Sequence, residues 1–283
     1  MHSLFSSSNQ IVLALSGDAL QSLSLPAADS RLGIGRLTWG AAEEVGTPAY
    51  WRSQAWMWGL EHADHFKLGT SLAEEVAACL LGGYGIPAEV GLAAYERVRA
   101  VLAESPQELH ASEYAIGLLS EPLTIGSRQV RYRFARQKGA YLARALAQLT
   151  QLDQDSPDVP LRDALTELPG IGLKTASWIV RNWRGSDRVA ILDVHIIRAA
   201  RMLRIFADEW RVERHYREME QAYLAFADSI DASAALLDSV MWMTMRRLPK
   251  ETVSAFVAPG YERPQKFVSR HCSTRQLTTA YLT

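Results

Sequence analysis

Lys174 and Asp193 are the residues of this chain whose types and spacing could carry covalent chemistry. Lys174 lies two residues past the turn Leu168-Pro169-Gly170-Ile171-Gly172, at the start of a helical run. A cation there opposes the helix dipole, so its position does nothing for helix stability. A partly buried amine in such a place loses its proton more readily and becomes a nucleophile. Asp193 comes nineteen residues later, after the apolar run Val189-Ala190-Ile191-Leu192 and before a helical run from Val194 to Phe206. It reads as an N-cap, a carboxylate of fixed direction that stays ionised. An amine and a carboxylate at the mouths of two adjacent helices can share one cleft. Taken singly, each has a plain alternative: a solvated surface lysine and a cap that does nothing else.

Two helical patterns must position this pair. Leu161, Ala164, Leu165 and Leu168 recur at helical spacing, as do Leu173, Ala176, Ile179 and Val180. Pro169 and two glycines stop the first helix and start the second, a hairpin over residues 161–184. Gly170 and Gly172 let another molecule approach the main chain, and the turn ends at a helix N-terminus that favours an anion. A nucleic-acid phosphate suits such a turn. The carbonyls of Leu168 and Ile171 are the place where a monovalent cation could sit.

The run LPGIGLK, followed by Asp193-Val194-His195, resembles the helix-hairpin-helix DNA glycosylases, and within them the 8-oxoguanine glycosylase/lyase branch. The resemblance implies a mostly α fold, two helical subdomains flanking a cleft, with a small β-containing N-terminal region. It implies Lys174 as nucleophile, Asp193 as its assistant and His195 near the DNA backbone. It also implies that the loop Gly82-Gly83-Tyr84-Gly85-Ile86-Pro87 faces DNA, with Tyr84 helping to fill the gap left by an extruded base. A loop tyrosine packed on the next helix is the alternative.

Composition bounds the rest. The 283 residues are 48% hydrophobic and 22% charged, which suits one large or two smaller soluble domains. No apolar run approaches a membrane span, and the N-terminus lacks a basic leader, so an intracellular, cytoplasmic protein is expected. The two cysteines, Cys79 and Cys272, cannot build the four-cysteine iron–sulfur cluster that some relatives carry. No cofactor and no resident metal are expected.

The net charge of −1 does not announce a nucleic-acid protein, but the distribution does. Arg128, Arg131, Arg133, Arg136, Lys138 and Arg144 fall in a stretch with no acid, and Lys174, Arg181, Arg184, Arg188, Arg198, Arg201 and Arg204 meet only Asp187 and Asp193. One positive face follows, unless these are ordinary solvated helix faces.

Along the chain, residues 1–70 form an N-terminal region with candidate strands at Ile11–Leu15 and Leu37–Trp39. Its clustered Tyr50, Trp51, Trp56 and Trp58 read as core, with stacking on a base the alternative. Residues 71–248 form the helical domain. Thr70 or Ser71 with Glu74 is a capping box, and further helices are expected over 88–103, 106–119 and 128–150. The segment opening the last of these resembles the family's minor-groove element: Phe134 is the candidate wedge, Arg133 or Arg136 the candidate reader of the orphaned base. A core Phe134 is the alternative. Residues 156–160 read as a linker, and helices follow over 209–226 and 231–248.

Asp238 and Trp242, four apart on the helix resembling the family's closing helix, share a face beside the base pocket. Asp238 either touches a flipped base or caps something internal. Trp178, four residues after Lys174, could stack on a flipped purine or pack as core, and the family commonly has a smaller residue there. Residues 249–283 read as an irregular basic tail. The expectation is a monomeric bifunctional glycosylase/AP lyase that acts on double-stranded DNA containing a damaged base, 8-oxoguanine first. A glycosylase for another modified or alkylated base is the alternative, and a non-enzymatic DNA-binding protein the second.

Overall fold

Ser71 opens the helical part of the chain: its hydroxyl accepts the Glu74 amide at 3.2 Å while the Glu74 carboxylate takes the Thr70 amide at 2.8 Å. This is the capping box expected from the sequence. In the computed structural model, which describes residues 8–62, 66–83 and 85–249, helices dominate on either side of it.

Before it, β1 (Gln10–Ser16) and β2 (Ala19–Leu25) pair antiparallel, Leu13 opposite Ser22 and Leu15 opposite Leu20. The second expected strand is reduced to an isolated bridge between Arg31 and Thr38. Gly35 and Gly40, both at positive φ, turn the chain too soon for a longer pairing. α1 (Pro48–His62) carries the clustered aromatics. Trp51 is fully buried and Tyr50 packs edge-on against it, so the centre of that cluster is core.

α2 (Leu72–Leu81) and α3 (Ala88–Glu104) follow. The single helix expected over 106–119 is instead a 3₁₀ turn, Pro106–His110, and α4 (Ser112–Ser120), broken at extended Ala111. Leu109 and Ala115 are both fully buried, and a straight helix would set residues six apart about 120° from each other around its axis. The helix expected from Arg128 begins later. Residues Leu123–Ile125 (β3) and Arg128–Val130 (β4) form a short hairpin, and α5 covers Ala135–Leu149. The buried Tyr132 explains the delay: its hydroxyl donates to the Leu81 carbonyl at 2.7 Å and carries the chain across the end of α2 before α5 can start.

The expected linker is partly helix. α6 (Asp158–Leu165) uses Pro157 as cap and holds Pro160 in its first turn, where an intrahelical N–H is not needed. α7 (Leu173–Arg184), α8 (Val194–Met202), α9 (Val212–Ser229) and α10 (Ala234–Arg247) complete the chain. Left-handed Arg204 ends α8 at Met202, short of the expected Phe206.

Two apolar cores result. One joins α2 to α7 through Val76, Leu80, Leu142, Leu161 and Ile179. The other joins α1, α8, α9 and α10 through Trp51, Ile196, Phe226 and Met241. Each such side chain contributes about 1.5–3 kcal/mol on burial. The chain passes between the cores around the start of α7 and again before α8. Leu173 packs on the second core while Ala176 and Ile179 sit in the first. Val189 belongs to the first and Ala190 and Leu192 to the second. Lys174 lies within the first of these passages, between Leu173 and Ala176, and Asp193 follows the second.

Candidate active site

The hairpin is held from behind and open in front. Gly170 has φ +82, and a β-carbon there would stand 2.4 Å from Cδ2 of Tyr141 on α5. Gly172 is the N-cap of α7, exposed, with nothing within 4 Å of the space a side chain would fill. No side chain caps α7, so its first amides are left for an outside acceptor. The Leu168 carbonyl already accepts the Ile171 amide at 3.1 Å. Lys174, in the first turn of α7, is half-buried.

Asp193 caps α8. Its Oδ1 accepts the amides of His195 at 2.8 Å and Ile196 at 2.9 Å, and no described residue donates to Oδ2. The approach to this cap is tightly held. Glu220 accepts the Ala190 amide at 3.0 Å, and the Tyr216 hydroxyl donates to the Ala190 carbonyl at 2.6 Å. Glu220 is in turn paired with buried Arg162 of the hairpin's first helix at 2.8 Å. The direction of Asp193 is thus tied to the hairpin through α9.

Asp238 has an internal partner. It sits inside α10, buried, and pairs with Arg181 of α7, whose Nη2 is 3.0 Å from Oδ2. Burial pushes this carboxyl up to about 7; Arg181 opposes the rise, Asp193 adds to it and Lys174 opposes it. Lys174 and Asp193 therefore both bear on the charge of Asp238. Arg181 also lies 4.7 Å over the Phe66 ring.

The outer side of α8 and α10 carries a stack. His195 meets Trp242 edge-on at 6.2 Å, and the Arg246 guanidinium lies 4.3 Å over the same indole. Burial holds the His195 pKa below its ordinary value; Asp193 opposes this, and Arg198 and Arg246 add to it. Arg246 was not singled out in the sequence, although its place four residues after Trp242 was a legible signal.

The other expected residues gather around the loop after α2 and the start of α5. Trp178 is half-buried with its indole 3.3 Å from the position a β-carbon would take at Gly82. Phe134 is half-buried against the first core, its ring 3.7 Å from the equivalent position at Gly85. Exposed Arg133 lies 5.1 Å over that ring, and Arg136 is exposed. The loop after α2 and the segment before α5 thus form one edge. Tyr84 and the tail from residue 250 lie outside the described residues. Lys138, also not singled out, donates to the Leu80 carbonyl at 2.8 Å. Its pKa is lowered by burial first and then by Lys174, which links this edge to the amine.

Not all of the expected positive face is available. Arg181 is taken by Asp238, and Arg184 by Asp158 at 3.1 Å and the Ser156 carbonyl at 2.6 Å. Among the described residues no group of three or more His, Cys, Asp or Glu is placed to hold a metal ion. No helix among them is long and apolar enough to cross a membrane.

A family model described as 8-oxoguanine DNA glycosylase matches residues 71–232. An 8-oxoguanine DNA glycosylase/AP lyase of Metallosphaera sedula is 27% identical over 132 residues, which are 43% of this chain and 62% of that relative. The 8-oxoguanine DNA glycosylase of Methanocaldococcus jannaschii is 23% identical, with TM-score 0.47 over 61% of this chain and 77% of its own. That of Thermotoga maritima is 21% identical, with TM-score 0.47 over 70% and 88%.

Proposed function

The chain belongs to the 8-oxoguanine DNA glycosylase family, and from that premise we propose that it excises an oxidised purine, first 8-oxoguanine, from duplex DNA and then nicks the strand. One observation carries this reading. The amine of Lys174 lies in the first turn of α7 and the carboxylate of Asp193 caps α8, both partly exposed and both bearing on the charge of Asp238.

The mechanism follows from these groups. A damaged base is stacked and paired, so it must be extruded, at a cost of a few kcal/mol, before the sugar carbon can be reached. The open amides at Gly172 and the exposed Arg133 and Arg136 hold the backbone, and Phe134 fills the vacated step. Breakage of the glycosidic bond develops positive charge on the sugar. Asp193, locked by two amides, stabilises that charge without reorganising. The neutral Lys174 amine attacks C1′, and the resulting Schiff base permits strand cleavage by β-elimination. Glycosylases that use water instead stop at the abasic site.

Trp178 favours a second reading. It is a large ring where the family commonly has a smaller residue, and in that reading the base pocket takes a different modified base. A panel of duplexes, each with one lesion, measures base release directly. Fastest release of 8-oxoguanine supports the first reading, and faster release of another modified base supports the second. Salt-dependent binding with no release from any duplex leaves a DNA-binding protein without glycosylase activity.

A further inference from the structure

We propose that Arg246 is a phosphate-binding residue: its guanidinium, held over the Trp242 indole beside His195, takes a backbone phosphate of the duplex. This deepens the reading above and rests on duplex DNA being the substrate. The backbone contacts already assigned, at Gly172, Arg133 and Arg136, lie at the start of α7 and around the start of α5, elements of the first core. Arg246 is on α10, an element of the second core. With it, the duplex is held from both halves of the molecule.

The side chain is set in advance. Trp242 and Arg246 are four residues apart on α10, so they share a face. The guanidinium lies 4.3 Å over the indole ring, and His195 of α8 meets the same indole edge-on at 6.2 Å. A guanidinium attracted to a ring in this way keeps N–H donors for other acceptors. Arg246 is exposed, and among the described residues no carboxylate pairs with it and no carbonyl accepts from it. An arginine already held over a ring loses less rotamer freedom on binding than a solvated one.

The surroundings keep their positive charge. Arg198, three residues past His195 on α8, is half-buried and also lacks a described partner. Arg198 and Arg246 both disfavour protonation of His195, so the two cations bear on one neighbourhood. The acid that bears on His195, Asp193, has its Oδ1 committed to two backbone amides. Arg181 and Arg184 are instead spent on Asp238 and Asp158. This part of the expected positive face therefore stays available to an anion. A phosphodiester matches the planar fork of a guanidinium and can take two of its donors.

The test uses a duplex carrying tetrahydrofuran, a stable abasic-site mimic, so it does not depend on which base is excised. Affinity is measured by anisotropy from about 50 to 300 mM salt for wild type, Arg246→Gln and Arg246→Lys. Arg246→Gln should bind about 5- to 10-fold more weakly at about 100 mM salt, with the slope of log affinity against log salt reduced by about 1. Arg246→Lys should restore the slope. Neutral methylphosphonates placed singly around the tetrahydrofuran then locate the contact. One of them should weaken wild type about 5- to 10-fold and Arg246→Gln by less than about twofold.

Because Arg246 is exposed and unpaired by any described carboxylate, Arg246→Gln should fold, as thermal melting checks. An arginine that only shields Trp242 would lower the melting temperature and leave the slope and the methylphosphonate profile as in wild type. That outcome, or an unchanged slope and profile at unchanged stability, overturns the proposal. Wild type that shows no salt-dependent binding to the duplex would overturn the underlying DNA reading, whereas a normal wild-type slope kept in Arg246→Gln overturns the role of Arg246 alone.

Discussion

Gly170 of the hairpin is seated against Tyr141 of α5 so closely that a β-carbon would come within 2.4 Å of the ring. Two residues on, Gly172 faces open space. The hairpin is therefore clamped on one side and presented on the other.

Gly170→Ala should lower the melting temperature, because φ +82 strains any side chain by about 1–3 kcal/mol and the methyl also meets Tyr141. Gly172→Ala has an ordinary extended backbone and free space, so its stability should stay within about 0.5 kcal/mol of wild type. Its affinity for duplex DNA should nevertheless fall, because the methyl stands before the open amides. Thermal melts with fluorescence anisotropy on a labelled duplex separate the two variants.

Asp193→Asn should keep the fold and lose the activity. Asparagine caps a helix about as well as aspartate, so the melting temperature should hardly move. Base release should fall roughly 100- to 1000-fold with the loss of the fixed charge. Asp193→Ala should in addition cost about 1 kcal/mol for the lost cap.

Asp238 gives the stability a definite sign with pH. The carboxyl is raised from 3.8 to about 7 in the folded chain. Between those values the folded state holds a proton that the unfolded state releases, so this group's contribution falls as pH rises through the window. Denaturant melts at pH 5 and pH 7.5 should show wild type losing stability relative to Asp238→Asn at the higher pH.

Arg133 and Arg136 should each contribute to the salt dependence of DNA binding. Replacing either with alanine should reduce the slope of log affinity against log salt by about 1. Arg184→Ala should leave the slope unchanged and destabilise the protein, because Arg184 is spent on Asp158 and the Ser156 carbonyl.

Much of this site was legible because its signals are local. The Asp193 cap, the Ser71–Glu74 box and the helix ends at the hairpin are each written within a few residues. The delayed start of α5 was not legible. Arg128 to Val130 suits a helix as well as a strand, and what decides is the bond from Tyr132 to Leu81, across 51 residues. The Arg181–Asp238 pair spans 57 residues and leaves no local trace. Sequence placed Arg181 on a DNA-facing surface because only its charge is visible there, whereas its partner is set by how α10 packs.

Borohydride trapping on a duplex carrying 8-oxoguanine tests the central claim most directly. Wild type should form a covalent protein–DNA adduct, and Lys174→Gln, folded by circular dichroism and still binding the duplex, should form none. An undiminished adduct in Lys174→Gln would contradict the assignment of Lys174 as the nucleophile.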